Sequence, residues 1–274
     1  MMQRLPIPRG AAAAALVATT TLVLAGCAVT LREEARRAAG EGGPTTPVVE
    51  ALRTAHDAID ATKRIFEVTL VEGGRRFAGE GALVYEADPR RLVADVFGPH
   101  DAHVLHVELV GDRLTVRLPQ EGEVMRGELG DPEFARLTGE RALVRPEILG
   151  ALLGAYDIDR LLEGADRVAA RGEGERRTLY VVDGEVVHAL TIAPPPEDGG
   201  GPVLVGYRQE RDGTPVYRVQ FDEFHRVDGR WSPWRVVLRD FAGDRWIVAE
   251  VRSERADVSV LPRETGRFSR DSSP

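Results

Sequence analysis

The chain has 274 residues, with 36 basic and 44 acidic side chains, a formal net charge of −8 and a single cysteine. That charge balance repels a phosphate backbone and excludes nucleic acid as the natural partner. One cysteine excludes an internal disulfide framework.

The first 26 residues read as a secretory signal. Arg4 and Arg9 give a positive start, and residues 11–24 form an apolar stretch too short to span a bilayer. Leu24-Ala25-Gly26-Cys27 follows and resembles the bacterial lipobox, where small residues admit the lipoprotein signal peptidase and the cysteine sulfur takes a diacylglycerol. The resemblance implies cleavage before Cys27, acylation there and attachment to a membrane through lipid. Each buried methylene is worth about 0.8 kcal/mol, so several acyl chains anchor stably where one does not. Ala28 stands where resembling inner-membrane lipoproteins often carry aspartate, which implies the outer membrane, facing the periplasm, ahead of the inner membrane or the cell surface. Cleavage removes two arginines and no acid, leaving 34 basic against 44 acidic groups and a net charge of −10. Such a body is repelled by anionic headgroups, and the lipid must do the holding.

Residues 27–46 contain almost no large apolar side chain and read as a flexible tether. A helix is predicted near 47–63, with Thr46 as cap, Pro47 in the first turn and Val49, Leu52, Ala55 and Ile59 on one face. From residue 65 to 129 the period switches to two: Phe66, Val68 and Leu70 alternate with Glu67 and Thr69, and Leu114, Val116 and Leu118 with Thr115 and Arg117. Turn signals at Gly73-Gly74, Asp88-Pro89, Gly98-Pro99 and Gly111-Asp112 suit an antiparallel meander. Pro146 opens a second, short apolar helix over 146–153, with Gly154 as its left-handed cap. Asp157 and Asp159 fall in a segment that reads as a solvated turn. Strands at 178–182 and 185–192 flank an Asp183-Gly184 turn, 194–201 is a loop, and 203–210, 216–224, 234–240 and 246–252 read as four more strands. Together 47–262 make one β-rich domain, followed by a polar tail over 263–274.

The usual catalytic spacings, Gly-x-Ser-x-Gly, His-Glu-x-x-His and the Gly-rich phosphate and dinucleotide loops, are missing, so nothing points to an enzyme or implies a cofactor. His100, His103 and His106, with Asp101, are residue types that ligate metals. In a regular strand, however, residues three apart point to opposite faces, and no metal site is expected there. Trp231, Trp234, Trp246, Tyr207, Tyr217, Phe221 and Phe224 crowd the last third. They are either sheet core or the wall of an apolar ligand cavity.

Three segments in order resemble the lipoprotein-localisation proteins LolA and LolB and the related lipoproteins sharing their fold. They are the amphipathic N-terminal helix leading to Gly79-Glu80-Gly81-Ala82-Leu83-Val84-Tyr85, the strand Arg91-Leu92-Val93-Ala94-Asp95-Val96-Phe97 with its Gly98-Pro99 loop and the strand after it, and the Pro-led helix Pro146-Glu147-Ile148-Leu149-Gly150-Ala151-Leu152-Leu153 ending at Gly154. The resemblance implies an α+β, mainly β fold: an incomplete antiparallel β-barrel with helices covering its open side over a cavity for acyl chains. Val68, Leu70, Leu83, Tyr85, Leu105, Val107, Leu114 and Val116 on strands, with Ile148, Leu149 and Leu152 on the covering helix, would face the apolar ligand. Phe97, Pro99 and His100 would form a loop directed at membrane or cargo. In LolB the loop proline is followed by a protruding leucine, whereas here His100 follows Pro99, so the resemblance carries the binding role and not insertion of cargo by that device. Two functions stay open at this point. One is a lipid-anchored carrier of acyl chains or lipoprotein cargo; the other is a scaffold whose barrel is filled by its own side chains and whose surface takes an envelope protein partner.

Overall fold

A computed structural model describes residues 29–128, 131, 146–173, 175–197 and 199–256. The signal segment, Cys27 and the tail over 263–274 lie outside the described residues.

Among the described residues, thirteen strands form one antiparallel sheet. Six run outward from its middle: β1 (Ala61–Glu72), β2 (Arg75–Glu86), β3 (Arg91–Phe97), β4 (His103–Val110), β5 (Arg113–Leu118) and β6 (Glu123–Glu128). The chain then crosses to the opposite edge and returns through β7 (Arg167–Glu173), β8 (Arg176–Asp183), β9 (Val186–Ala193), β10 (Val203–Arg211), β11 (Thr214–Val227), β12 (Arg230–Asp240) and β13 (Arg245–Ala256). β13 pairs with β1, while β6 and β7 are the two edges and stay apart, so the barrel is incomplete. The crossing segment carries α3 (Pro146–Leu153) and α4 (Ile158–Glu163), and α2 (Thr46–Asp57) precedes β1. Alternating strands leave one apolar face that must be covered. These helices cover it: Val48, Leu52, Ile148, Leu149 and Ile158 join one core with Leu83, Leu92 and Val116 of the first half and Leu179, Leu190 and Leu238 of the second.

The Gly79-Glu80-Gly81 motif has a packing reason. A Cβ on Gly81 would lie 2.1 Å from the Phe66 ring, and one on Gly79 would lie 2.2 Å from the Phe97 carbonyl oxygen. The glycines let a ring and a neighbouring strand lie flat against β2.

Three expectations need correction. The segment read as a tether contains α1 (Leu31–Glu41), capped by Thr30 and ended by left-handed Gly42. Its Leu31, Ala35 and Ala38 are buried against Ala169, Tyr180, Val187 and Ala189 on the outer face of β7 to β9. Too few apolar residues to build a core suffice to dock on one. The helix predicted near 47–63 stops at Asp57, because Thr62, Arg64 and Phe66 already alternate into the interior as β1. Asp157 is not in a solvated turn: its side chain accepts from the Arg160 N–H at 3.1 Å and caps α4.

Candidate functional site

The helices do not fill the covered face completely. A cavity of about 390 Å³ lies beneath α3 and α4, within the size range of small-ligand sites. Tyr85, Leu92 and Leu109 wall it from the first half of the sheet, Leu149, Leu153 and Tyr156 from above, and His188, Tyr207 and Gln209 from the second half. Arg90, Asp157, Arg160 and Asp183 supply a charged rim. A second cavity of about 330 Å³, lined by Ala51, Ala55, Leu204, Phe224 and Trp231, also touches Leu153, so the two chambers adjoin across that side chain.

The polar wall is arranged around one ring. Tyr207, fully buried, stacks on Tyr156 at 4.4 Å between centroids. Its hydroxyl meets His188 Nδ1 at 2.9 Å. Burial pushes the His188 imidazole down to about 4, despite the nearby Asp183 carboxylate, so it is neutral at neutral pH. An uncharged histidine and a tyrosine hydroxyl already engaged with each other leave the wall predominantly apolar.

α3 is fastened by a buried ionic cluster that sequence patterning did not reveal. Arg64, on β1 and 1% exposed, donates through Nη1 to the Leu152 carbonyl at 2.5 Å, at the negative end of the helix. Its Nη2 donates to Ser232 Oγ at 2.5 Å and to Glu254 Oε1 at 3.2 Å, and its Nε stands 3.2 Å from Glu254 Oε2 at ion-pair distance without hydrogen-bond geometry. Arg230 and Ser232 also donate to Glu254. Burial pushes the Glu254 carboxyl up, but Arg64, Ser232 and Arg230 together outweigh it and hold the group below the usual range. Gly154, at φ +74°, ends the helix against the Pro233 ring, where a Cβ would fall 2.5 Å away.

Of the residues expected to face a ligand, Tyr85 and Leu149 reach the larger cavity. Leu83, Leu105, Val107, Leu114, Val116 and Ile148 face the same way but are buried in the core. Val68 and Leu70 are half-buried at the far end of β1, and Leu152 is half-buried with its carbonyl engaged by Arg64. Leu92, Leu109, Leu153, Tyr156 and His188 also line it, and sequence patterning does not single them out. The aromatic crowd divides: Tyr207 and Trp231 line cavities, Tyr217 and Phe221 are core, and Trp246 is exposed with the Arg239 guanidinium 4.8 Å from its ring. The loop after β3 is a short 3₁₀ turn, Pro99–Asp101, where Phe97, Pro99 and His100 share a surface groove of about 410 Å³ with Val68.

Regular alternation predicts His103 and His106 on opposite faces, yet both imidazoles reach Asp95 Oδ1, at 2.9 and 2.8 Å. Val96 pairs with Leu105 but Phe97 with His103, so β4 carries one extra residue at Val104. The bulge reverses the alternation and returns both histidines to the outer face.

No family model and no curated protein matches the chain. Solved structures do match its fold. A DUF1329 family protein from Desulfovibrio piger aligns at a TM-score of 0.57 and 13% identity over 80% of this chain and 95% of that one. The LolA superfamily protein NE2245 from Nitrosomonas europaea gives 0.53 and 11% over 77% and 93%, and a putative outer membrane lipoprotein-sorting protein domain from Vibrio parahaemolyticus 0.54 and 10% over 78% and 94%. None of the three is named for an enzymatic activity. The chain has a LolA-like fold: an open antiparallel half-barrel with helices across its mouth.

Proposed function

We propose that this chain is a lipid-anchored envelope protein that binds an acyl chain or a similar apolar ligand beneath α3. The observation that carries the reading is the 390 Å³ cavity walled by Leu92, Leu109, Leu149, Leu153 and two stacked tyrosines. Affinity comes from removing methylenes from water, about 0.8 kcal/mol each. The charged rim of Arg90, Asp157 and Arg160 suits a ligand whose polar end stays at the mouth.

The anchor is Cys27, in the outer membrane and facing the periplasm. With α1 docked on the sheet, only three residues separate Cys27 from Leu31, a reach of at most about 14 Å. The body is thereby held close to the bilayer, and lipid or lipoprotein cargo needs to travel little between membrane and cavity. A fluorescent fatty-acid probe tests the binding. The parent binds it, and Leu149→Asp weakens binding more than tenfold, as burial worth about 1.5 to 3 kcal/mol is lost. Val116→Asp, deep in the filled core, is the stability reference: it should cost the empty protein more than Leu149→Asp does. No probe binding by a folded parent, with equal destabilisation by both variants, would leave the filled scaffold.

A further inference from the structure

The outer face of the sheet, remote from the covered cavity, carries a second arrangement of reactive side chains. Asp95 on β3 points away from the core, as its buried neighbour Ala94 points in. Its Oδ1 lies 2.9 Å from His103 Nε2 and 2.8 Å from His106 Nδ1, and the three ligand-type atoms all lie within 4.8 Å of one another. Among the described residues this is the one grouping of three or more such side chains at metal-binding separation.

The local backbone is built to bring them together. The extra residue in β4 puts both imidazoles on one face. Just before it, His100 and Asp101 both adopt left-handed backbone, at φ 61° and 57°, where residues other than glycine are strained. The Phe97 ring stacks on His103 at 4.9 Å and fixes its plane. Side-chain exposures of 13% for Asp95, 18% for His106 and 36% for His103 leave one side of the trio open to water.

We propose that Asp95, His103 and His106 form a binding site for a zinc-class divalent cation, with water completing the coordination. Two imidazoles and one carboxylate suit borderline transition-metal ions, whereas calcium and magnesium take oxygen donors. Donors held about 2.1 Å from one ion stand roughly 3.0 to 3.4 Å apart, so the two Asp95 contacts need to open by about half an ångström and the imidazole nitrogens, within 4.8 Å of each other, need to draw in around the ion by rotation of their side chains. The ion would replace the two hydrogen bonds to Asp95 and tie β3 to the bulged start of β4, fixing the strained loop between them.

The test uses the full chain with Cys27→Ser, which removes the one competing thiol, and no polyhistidine tag. Zinc is titrated calorimetrically, and cobalt is used as a spectroscopic stand-in. Binding of one ion per chain is expected, with the visible cobalt bands of a nitrogen and oxygen site and a thermal midpoint raised by zinc. Asp95→Asn and His106→Asn should each weaken binding at least about tenfold, since loss of even supporting groups costs that much. His225→Gln, on β11, should change nothing. Circular dichroism verifies the fold, and His103→Gln, at the most exposed of the three, serves if another variant unfolds. Absence of one-to-one binding, unchanged affinity in all three variants, or a preference for calcium would overturn the site and leave a His–Asp–His strut between strands.

Discussion

His188 makes the stability of this fold depend on pH between about 7 and 5, mostly above the range in which carboxylates titrate. Its imidazole is held at about 4 by burial, against 6.5 for an exposed histidine. Between those values the unfolded chain binds a proton that the folded chain refuses, so stability rises with pH and is lost on acidification from about 6.5 towards 4. One pKa unit is worth about 1.4 kcal/mol, and going from pH 7 to pH 5 should remove about 2 kcal/mol. Asp95 and Glu254, held below the usual carboxylate range, contribute stability that is lost only at lower pH, as each is protonated through its depressed value. The comparison is urea denaturation of the parent and of His188→Asn at pH 7, 6 and 5. Asparagine keeps a polar atom near the Tyr207 hydroxyl but cannot take up the proton. The parent should lose about 2 kcal/mol more than the variant over that range; equal losses would refute the account of His188 as a buried neutral group.

Arg64→Met removes the clamp on α3 and leaves Glu254 buried with less compensation, at a cost of about 3 to 5 kcal/mol in chemical denaturation, part of which Arg64→Met with Glu254→Gln should restore. Gly81→Ala forces the Phe66 ring from its seat and should cost about 1 to 3 kcal/mol, while Glu80→Ala beside it, on the opposite face, should be near neutral. Cys27→Ser should block incorporation of labelled fatty acid and release the chain from membranes on fractionation; label still entering the variant would contradict the anchor.

Strand patterning was legible because period-two alternation and Gly-containing turns are local properties of the chain. Gly111-Asp112 forms the hairpin turn between β4 and β5 as expected, and the turn expected at Asp183-Gly184 is present one residue later, at Gly184-Glu185, with Asp183 paired to Val186. What escaped depends on partners distant in sequence. Leu31, Ala35 and Ala38 are a meagre apolar stripe until the outer face of β8 and β9 is known, with Tyr180 donating to Glu34 at 3.1 Å to complete the dock. The same dock explains why Val187, His188, Ala189 and Leu190 are buried in succession: β9 has α1 on one side and the core on the other. Inward-facing leucines could be read from alternation, but whether they line space or fill it depends on α3 and α4, so Leu83 and Leu92 could not be told apart. His103 and His106 were misjudged because a bulge shifts the period by one without leaving a mark in composition.

Native mass spectrometry tests most directly whether the space beneath α3 holds an apolar molecule. The chain carrying Cys27→Ser, purified from cells without detergent and without fatty-acid addition, should carry one additional mass of an acyl-chain lipid, removable by organic extraction and restored by added fatty acid. The same mass should be lost or much reduced in Leu149→Asp. A single apo mass that added fatty acid does not shift, from a chain with a cooperative unfolding transition, would contradict the carrier.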